Sequence, residues 1–229
     1  MSLRKTLALA TAIGVLSAGP ALAQDDGPTF EFNIGAATDY VFRGVSNTDE
    51  NPQVFGGADV TMGLFYAGVW ATNVDYNDST DAEIDIYAGF APTVGAVSLD
   101  IGALYYGYID APSGADYNYI ELQAKASMPV GPATLGGGVY YVPDGAAHVD
   151  HSLYYEVNGS YSVTDKLSFS AALGRQTFDG AGDYTTWNAG AGYALTDNVG
   201  LDLRYHDTDK HSFGKVYDSR VVLSLEVTF

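Results

Sequence analysis

The sequence predicts an all-β fold, a transmembrane antiparallel up-and-down β-barrel of about twelve strands behind a cleaved signal peptide. Three observations predict it. After residue 24, apolar and polar residues alternate almost continuously in segments of about ten residues, the length and period of tilted membrane-crossing strands. The connections between these segments alternate between short and long, which a soluble sandwich has no reason to do. The chain also ends on a strand, 218–229: Val221, Leu223, Leu225, Val227 and Phe229 fall on one face, and Asp218, Arg220, Ser224, Glu226 and Thr228 on the other. One apolar and one charged face suit a closing strand with lipid outside and a wet lumen inside.

The first 23 residues read as a signal peptide, with Arg4 and Lys5 as the n-region, an apolar run from Leu7 to Ala18, and Ala21-Leu22-Ala23 as the cleavage site. Residues 24–229 then form one barrel domain. The apolar run is too short to span a bilayer as a helix, and no later stretch reaches the roughly 20 apolar residues needed. A membrane-spanning mature chain must therefore close a barrel, because only helices and closed barrels satisfy every backbone group in lipid.

The first strand is expected over 30–42, with Phe30, Phe32, Ile34, Ala36 and Tyr40 outward and Glu31, Asn33, Asp39 and Arg43 inward. Ile84, Ile86, Ala88 and Phe90 alternate with Glu83, Asp85 and Tyr87. Ile120, Leu122, Ala124 and Ala126 alternate with Glu121, Gln123 and Lys125. Short connections fall at 62–63, 92–95, 129–132, 164–166 and 196–198. Long ones fall at 45–52, 75–82, 108–116, 143–151, 178–183 and 207–217. Short turns on the periplasmic side and long loops outside are the usual arrangement of such barrels. Tyr40, Trp70, Tyr105, Tyr141, Trp187 and Tyr205 gather near the long loops, and Phe30, Phe90, Tyr161, Phe169, Tyr193 and Phe229 near the short turns. These are the positions of two interfacial aromatic belts.

With no cysteine, a disulfide framework and a thiolate metal site are both excluded. Removing Arg4 and Lys5 from 10 basic residues leaves 8 against 28 acidic ones, a net charge of −20. That charge makes nucleic acid an improbable partner, since its recognition needs a basic surface. The expected lumen set is acidic: Asp39, Asp85, Asp100, Glu121, Glu156 and Asp202 are the candidate lining carboxylates. Arg43, Arg204 and Arg220 would constrict the path or form salt bridges with Asp39, Asp202 and Asp218 across the barrel closure. An open acidic lumen favours cations, whereas a salt-bridged one can fill a small barrel without conducting.

The loop 75–81 alternates oxygen-bearing side chains but lacks the glycine and terminal glutamate of a calcium loop, so a solvated acidic loop is expected there and no metal site or cofactor is assigned. The four histidines, His148, His151, His206 and His211, lie in or near long loops. His151-Ser152 and His211-Ser212 are adjacent pairs whose side chains diverge on a strand, so an enzyme is not expected.

The run Thr38-Asp-Tyr-Val-Phe-Arg-Gly-Val-Ser46 resembles the opening motif of the TorF family of putative porins. Tyr66-Ala-Gly-Val-Trp-Ala-Thr-Asn73 is similar to that family as well, and the likeness extends over about 30–229. It implies an outer-membrane barrel of a Gram-negative bacterium, with no catalytic residues to carry over. The terminal strand also resembles the assembly signal of bacterial outer-membrane proteins, which implies recognition by the barrel-assembly machinery within a setting of outer-membrane lipid and lipopolysaccharide. The expected function is a passive porin-like channel for small hydrophilic solutes, mildly cation-preferring. A plugged barrel with a structural or surface-interaction role is the alternative, and a lipid hydrolase a distant third.

Overall fold

The computed structural model describes residues 27–145, 150–180 and 182–229. The expected signal peptide and His148 lie outside the described residues. Twelve long strands follow one another around a closed barrel: β1 Thr29–Ala37, β2 Gln53–Met62, β3 Phe65–Asn73, β4 Ala82–Phe90, β5 Val97–Ile109, β6 Tyr119–Val130, β7 Ala133–Val142, β8 Ser152–Ser162, β9 Leu167–Phe178, β10 Tyr184–Ala194, β11 Val199–Thr208 and β12 Arg220–Thr228. Each pairs antiparallel with its sequence neighbour. β1 pairs with β12, Asn33 opposite Thr228 through Ala37 opposite Ser224, so both edges of the sheet are consumed. Two backbone hydrogen bonds between Phe32 and Phe229, of 2.9 and 3.3 Å, fix the last residue into the seam.

The barrel is inverted relative to a water-soluble fold. Phe30, Phe32, Ile34, Ile86, Ile101, Val157, Leu203, Val221 and Phe229 are exposed on its outside, while Glu83, Asp85, Glu121, Asp202 and Arg204 are among the most buried side chains. Side chains alternate across each strand, so outward apolar positions and inward polar ones are a single consequence of the period-2 pattern. In water such an outer surface would be an aggregation-prone patch; against lipid it is the favourable arrangement.

On the inner wall, tyrosine rings lie across glycines of neighbouring strands. Tyr66 covers Gly89, and a Cβ on that glycine would collide with its ring. The Tyr66 hydroxyl can thereby reach across the wall to Asp100, 2.7 Å away on β5.

Most connections alternate in length as expected, with 63–64, 131–132, 163–166 and 195–198 short, and 38–52, 74–81, 110–118 and 209–219 long, but 179–183, expected among the long ones, is no longer than 91–96, expected among the short. The 209–219 loop carries two 3-10 turns, His211–Phe213 and Lys215–Tyr217. Two expectations are corrected. β1 stops at Ala37 rather than continuing to Phe42, because Thr38 closes the ladder against β12: its N–H donates to Leu223 O at 3.0 Å and its hydroxyl accepts from Leu223 N–H at 3.1 Å. The chain then leaves the wall. Consequently Tyr40 is not in an outer belt; it is inside and only 1 % exposed. Trp70 is also turned inward, alternating with exposed Val69 and packed 5.7 Å from the Tyr40 ring and 5.9 Å from Phe55. Tyr105, Tyr141 and Tyr205 remain outward near the long loops, and Phe30, Tyr161, Phe169, Tyr193 and Phe229 near the short turns.

Candidate functional site

The first long loop folds into the barrel as a small hairpin. Val41–Phe42 and Val45–Ser46 pair antiparallel, with Arg43 and Gly44 as the two-residue turn. Both turn residues have positive φ, 49° and 85°, the backbone that suits tight hairpins. Gly44 is required twice over. A side chain there would adopt a disfavoured conformation and would run into Thr186 and Thr208 of the β10–β11 wall.

Asp39 ties the base of this hairpin. Its carboxylate accepts from Ser46 Oγ at 2.6 Å, Thr48 Oγ1 at 2.8 Å and Arg220 Nη1 at 2.9 Å. Arg220 also donates to the carbonyl oxygens of Lys215 and Asp218, at 2.8 and 2.9 Å, and so joins the hairpin to the 209–219 loop. A second link between the same loops is the ion pair of Lys215 with Asp49, 2.8 Å. The hydrogen-bonded Lys215 ammonium holds the Asp49 carboxyl below the usual carboxylate range.

Arg43, at the tip, crosses to the opposite wall. Its guanidinium lies 2.8 Å from Glu121 on β6 and 3.4 Å from Gln176 Oε1 on β9. It is wrapped by rings: Phe42 at 4.6 Å, Tyr140 at 4.9 Å and Tyr154 at 4.4 Å from its central carbon. Each of these faces suits a cation, and together they desolvate it.

The candidate carboxylates are placed as follows. Asp202 takes a bidentate contact from Arg204, 3.0 Å to each oxygen, and Arg204 also donates to Asn188 Oδ1 and Ser170 Oγ at 2.7 Å. Asp100 pairs with Lys125 at 2.7 Å. Glu156 accepts from the Tyr154 hydroxyl at 2.9 Å and from Asn158 Nδ2 at 2.8 Å. Asp85 is 1 % exposed on β4, two residues from Glu83, which accepts from the Tyr40 hydroxyl at 2.7 Å. Among the three arginines, Arg204 meets Asp202 and Arg220 meets Asp39 near the closure, as the sequence suggests, but Arg43 reaches Glu121 across the lumen. Asp218 is exposed in the loop and bonds to Arg220 through its carbonyl rather than its carboxylate.

Sequence reading missed the inward hairpin and with it Tyr40, Tyr140 and Tyr154 as its contacts. A signal was present: Val41-Phe-Arg-Gly-Val45 places a glycine at the second turn position between β-branched and aromatic residues, as a tight hairpin does.

Outside the lumen, the acidic loop is organised around its own backbone. Asp78 accepts from Thr80 N–H at 2.8 Å and from the Tyr117 hydroxyl at 2.9 Å, and these bonds, Thr80 first, keep its carboxyl below its ordinary range. Among the described residues, no group of three or more metal-ligating side chains comes together. His211 Nε2 sits 2.7 Å from Asp207 Oδ1, and His151 Nδ1 lies 3.8 Å from Asp179, each histidine half exposed.

A family model described as a bacterial protein of unknown function (Gcw_chp) matches residues 22–229. No curated protein sequence matches the chain. Among solved structures, the KdgM porin superposes with a TM-score of 0.64 at 8 % identity, covering 87 % of this chain and 99 % of the porin. A second KdgM structure, described as a complex with disordered oligogalacturonate, gives 0.59 at 10 % identity, covering 87 % and 98 %. An outer membrane channel from Pseudomonas putida F1 gives 0.54 at 12 % identity, covering 93 % and 99 %. At these identities the likeness is one of fold, the outer membrane porin barrel.

Proposed function

The chain belongs to the Gcw_chp family of bacterial proteins of unknown function and has the porin fold, and on that premise we propose that it is a passive porin-like channel of the Gram-negative outer membrane for small hydrophilic solutes. The TorF-like motif 38–46 supports the same reading, since its residues build the inward hairpin. The observation that carries the proposal is a closed barrel whose polar interior is narrowed by one loop while the rest of its wall remains lined by charged and hydroxylated side chains. The reading calls on no catalytic group.

A preference for cations follows from charge placement. Towards the short-turn end the wall carries Glu31, Asp59, Asp100, Glu156, Asp202 and Glu226 against Lys125 and Arg204. Glu31 and Asp59 stand directly opposite each other on β1 and β2. Like charges at such positions destabilise a sheet, and carboxylate rings concentrate cations. An anionic oligosaccharide of the kind named for KdgM would meet the wrong charge here, so neutral and cationic solutes fit better. Reversal potentials of the refolded mature protein in a planar bilayer under a KCl gradient test this; cation selectivity is the expected result, and anion selectivity would overturn it.

One observation favours a second reading, a non-conducting barrel. The hairpin is clamped at both ends, with Thr48 and Ser46 almost wholly buried at its base and Arg43 held at its tip. Absence of conductance from protein that is folded by heat-modifiable gel migration would select that reading.

A further inference from the structure

Glu83 and Asp85 lie two residues apart on β4, so both side chains face the lumen wall beneath the hairpin, and both are 1 % exposed. Glu83 accepts a hydrogen bond from the Tyr40 hydroxyl, and the Tyr108 hydroxyl is its second neighbouring donor. Asp85 Oδ1 has no hydrogen-bond partner among the described residues. The cations of the lumen are engaged elsewhere: Arg43 on Glu121, Arg204 on Asp202, Arg220 on Asp39 and Lys125 on Asp100. The neighbours facing the pair include Tyr40, Trp70, Thr72, Tyr106, Tyr108 and Glu121, with Trp70 and Tyr106 the cross-strand partners of Asp85 and Thr72 and Tyr108 those of Glu83. None of them carries a positive charge.

Two buried carboxylates so close cannot remain ionised without a positive partner from outside the chain. A proton on Asp85 neutralises that carboxylate alone, whereas a cation serves both carboxylates at once. The donors are all oxygens, the set that hard cations prefer. We propose that Glu83 and Asp85, with the Tyr40 hydroxyl, form a binding site for one hard divalent cation, of which calcium is the type, lodged beneath the hairpin. The site depends on the barrel interior and not on whether the barrel conducts.

Terbium, a luminescent substitute for calcium, tests it on the refolded mature protein, because Trp70 and Tyr40 are placed to sensitise its emission. Saturable emission displaced by calcium is expected from the unaltered protein and from Asp78→Asn, which alters only the outer acidic loop. Asp85→Asn and Glu83→Gln should each weaken terbium binding at least about tenfold, since loss of a ligand should cost no less than loss of an outer-shell partner. Both replacements are neutral and of equal size, and gel migration verifies their folding. As a second readout, calcium should raise the thermal transition of the unaltered protein and leave that of Glu83→Gln unmoved. Undiminished terbium affinity in Asp85→Asn or Glu83→Gln, or no saturable emission from the unaltered protein, would overturn the proposal.

Discussion

Arg43→Ala is the most direct test of the inward hairpin. The arginine is 10 % exposed and its partner Glu121 is 3 % exposed, so the substitution leaves a buried carboxylate without its cation and removes three cation–ring contacts. Breaking a buried pair from one side costs about 3–5 kcal/mol. A lumen admits water, so the lower end, about 3 kcal/mol, is the better figure. At 1.4 kcal/mol per decade, the undocked hairpin should become about 150-fold more populated. Arg43 also holds a positive φ that the clamp must maintain, and its release favours undocking further. The chain has no cysteine, so Val41→Cys supplies a unique buried thiol on the hairpin. Its maleimide labelling rate follows the undocked population when opening is fast relative to labelling. That rate should rise by about two orders of magnitude in the Arg43→Ala background, whether or not the barrel conducts. In bilayers, open time or step size should increase and cation selectivity strengthen, because a lumen cation is lost. Unchanged labelling, together with a coupling below about 0.5 kcal/mol between Arg43→Ala and Glu121→Gln in a thermal double-mutant cycle, would refute the clamp.

Other perturbations probe other parts of the same arrangement. Gly44→Ala cannot seat against Thr186 and Thr208, so it should accelerate the same Val41→Cys labelling without breaking any ion pair. Arg220→Met should lower the thermal midpoint and loosen the 209–219 loop to protease, since Asp39 and two loop carbonyls lose their shared donor; equal protease resistance would count against that role. Hydrogen bonding to Asp207 raises the His211 pKa above 6.5. The tie is therefore complete below the unfolded value and fades as pH rises through the higher folded value, and protease nicking of 209–219 should increase on that alkaline side. An imidazole titration by NMR reading no higher than an exposed histidine would sink this. Neutralising Glu31, Asp59 and Glu226 together should shift the reversal potential towards non-selectivity; an unchanged potential would remove the short-turn end as the selectivity element. Phe229 closes the seam by two backbone bonds to Phe32, so its deletion should reduce the yield of heat-modifiable barrel, while a normal yield would argue against an assembly role.

The barrel itself was legible in the chain. Period-2 alternation in β4, β6 and β12 fixes which side chains face out, because each strand allows only two faces and a slip of one residue would put charges such as Glu83 and Glu121 into lipid. Loop alternation fixed the up-and-down topology for the same local reason. Alternation also placed Asp85, Asp100, Glu121, Glu156 and Asp202 on the inner wall and set Arg204 beside Asp202 on one face of β11, while proximity of β12 to β1 brought Arg220 to Asp39. What the local pattern does not encode is where the chain leaves the wall. Residues 38–42 alternate well enough to read as strand, yet the Thr38 seam contacts and the Asp39 ties to Ser46, Thr48 and Arg220 turn the chain inward, and the last of these partners is 181 residues away in sequence. The position of Arg43 was likewise set by Glu121, Tyr140 and Tyr154, which reach it only once the far wall has closed. Face assignment is a property of neighbouring residues, and was therefore present in the sequence; what fills the lumen depends on contacts across it, which exist only after the barrel is formed.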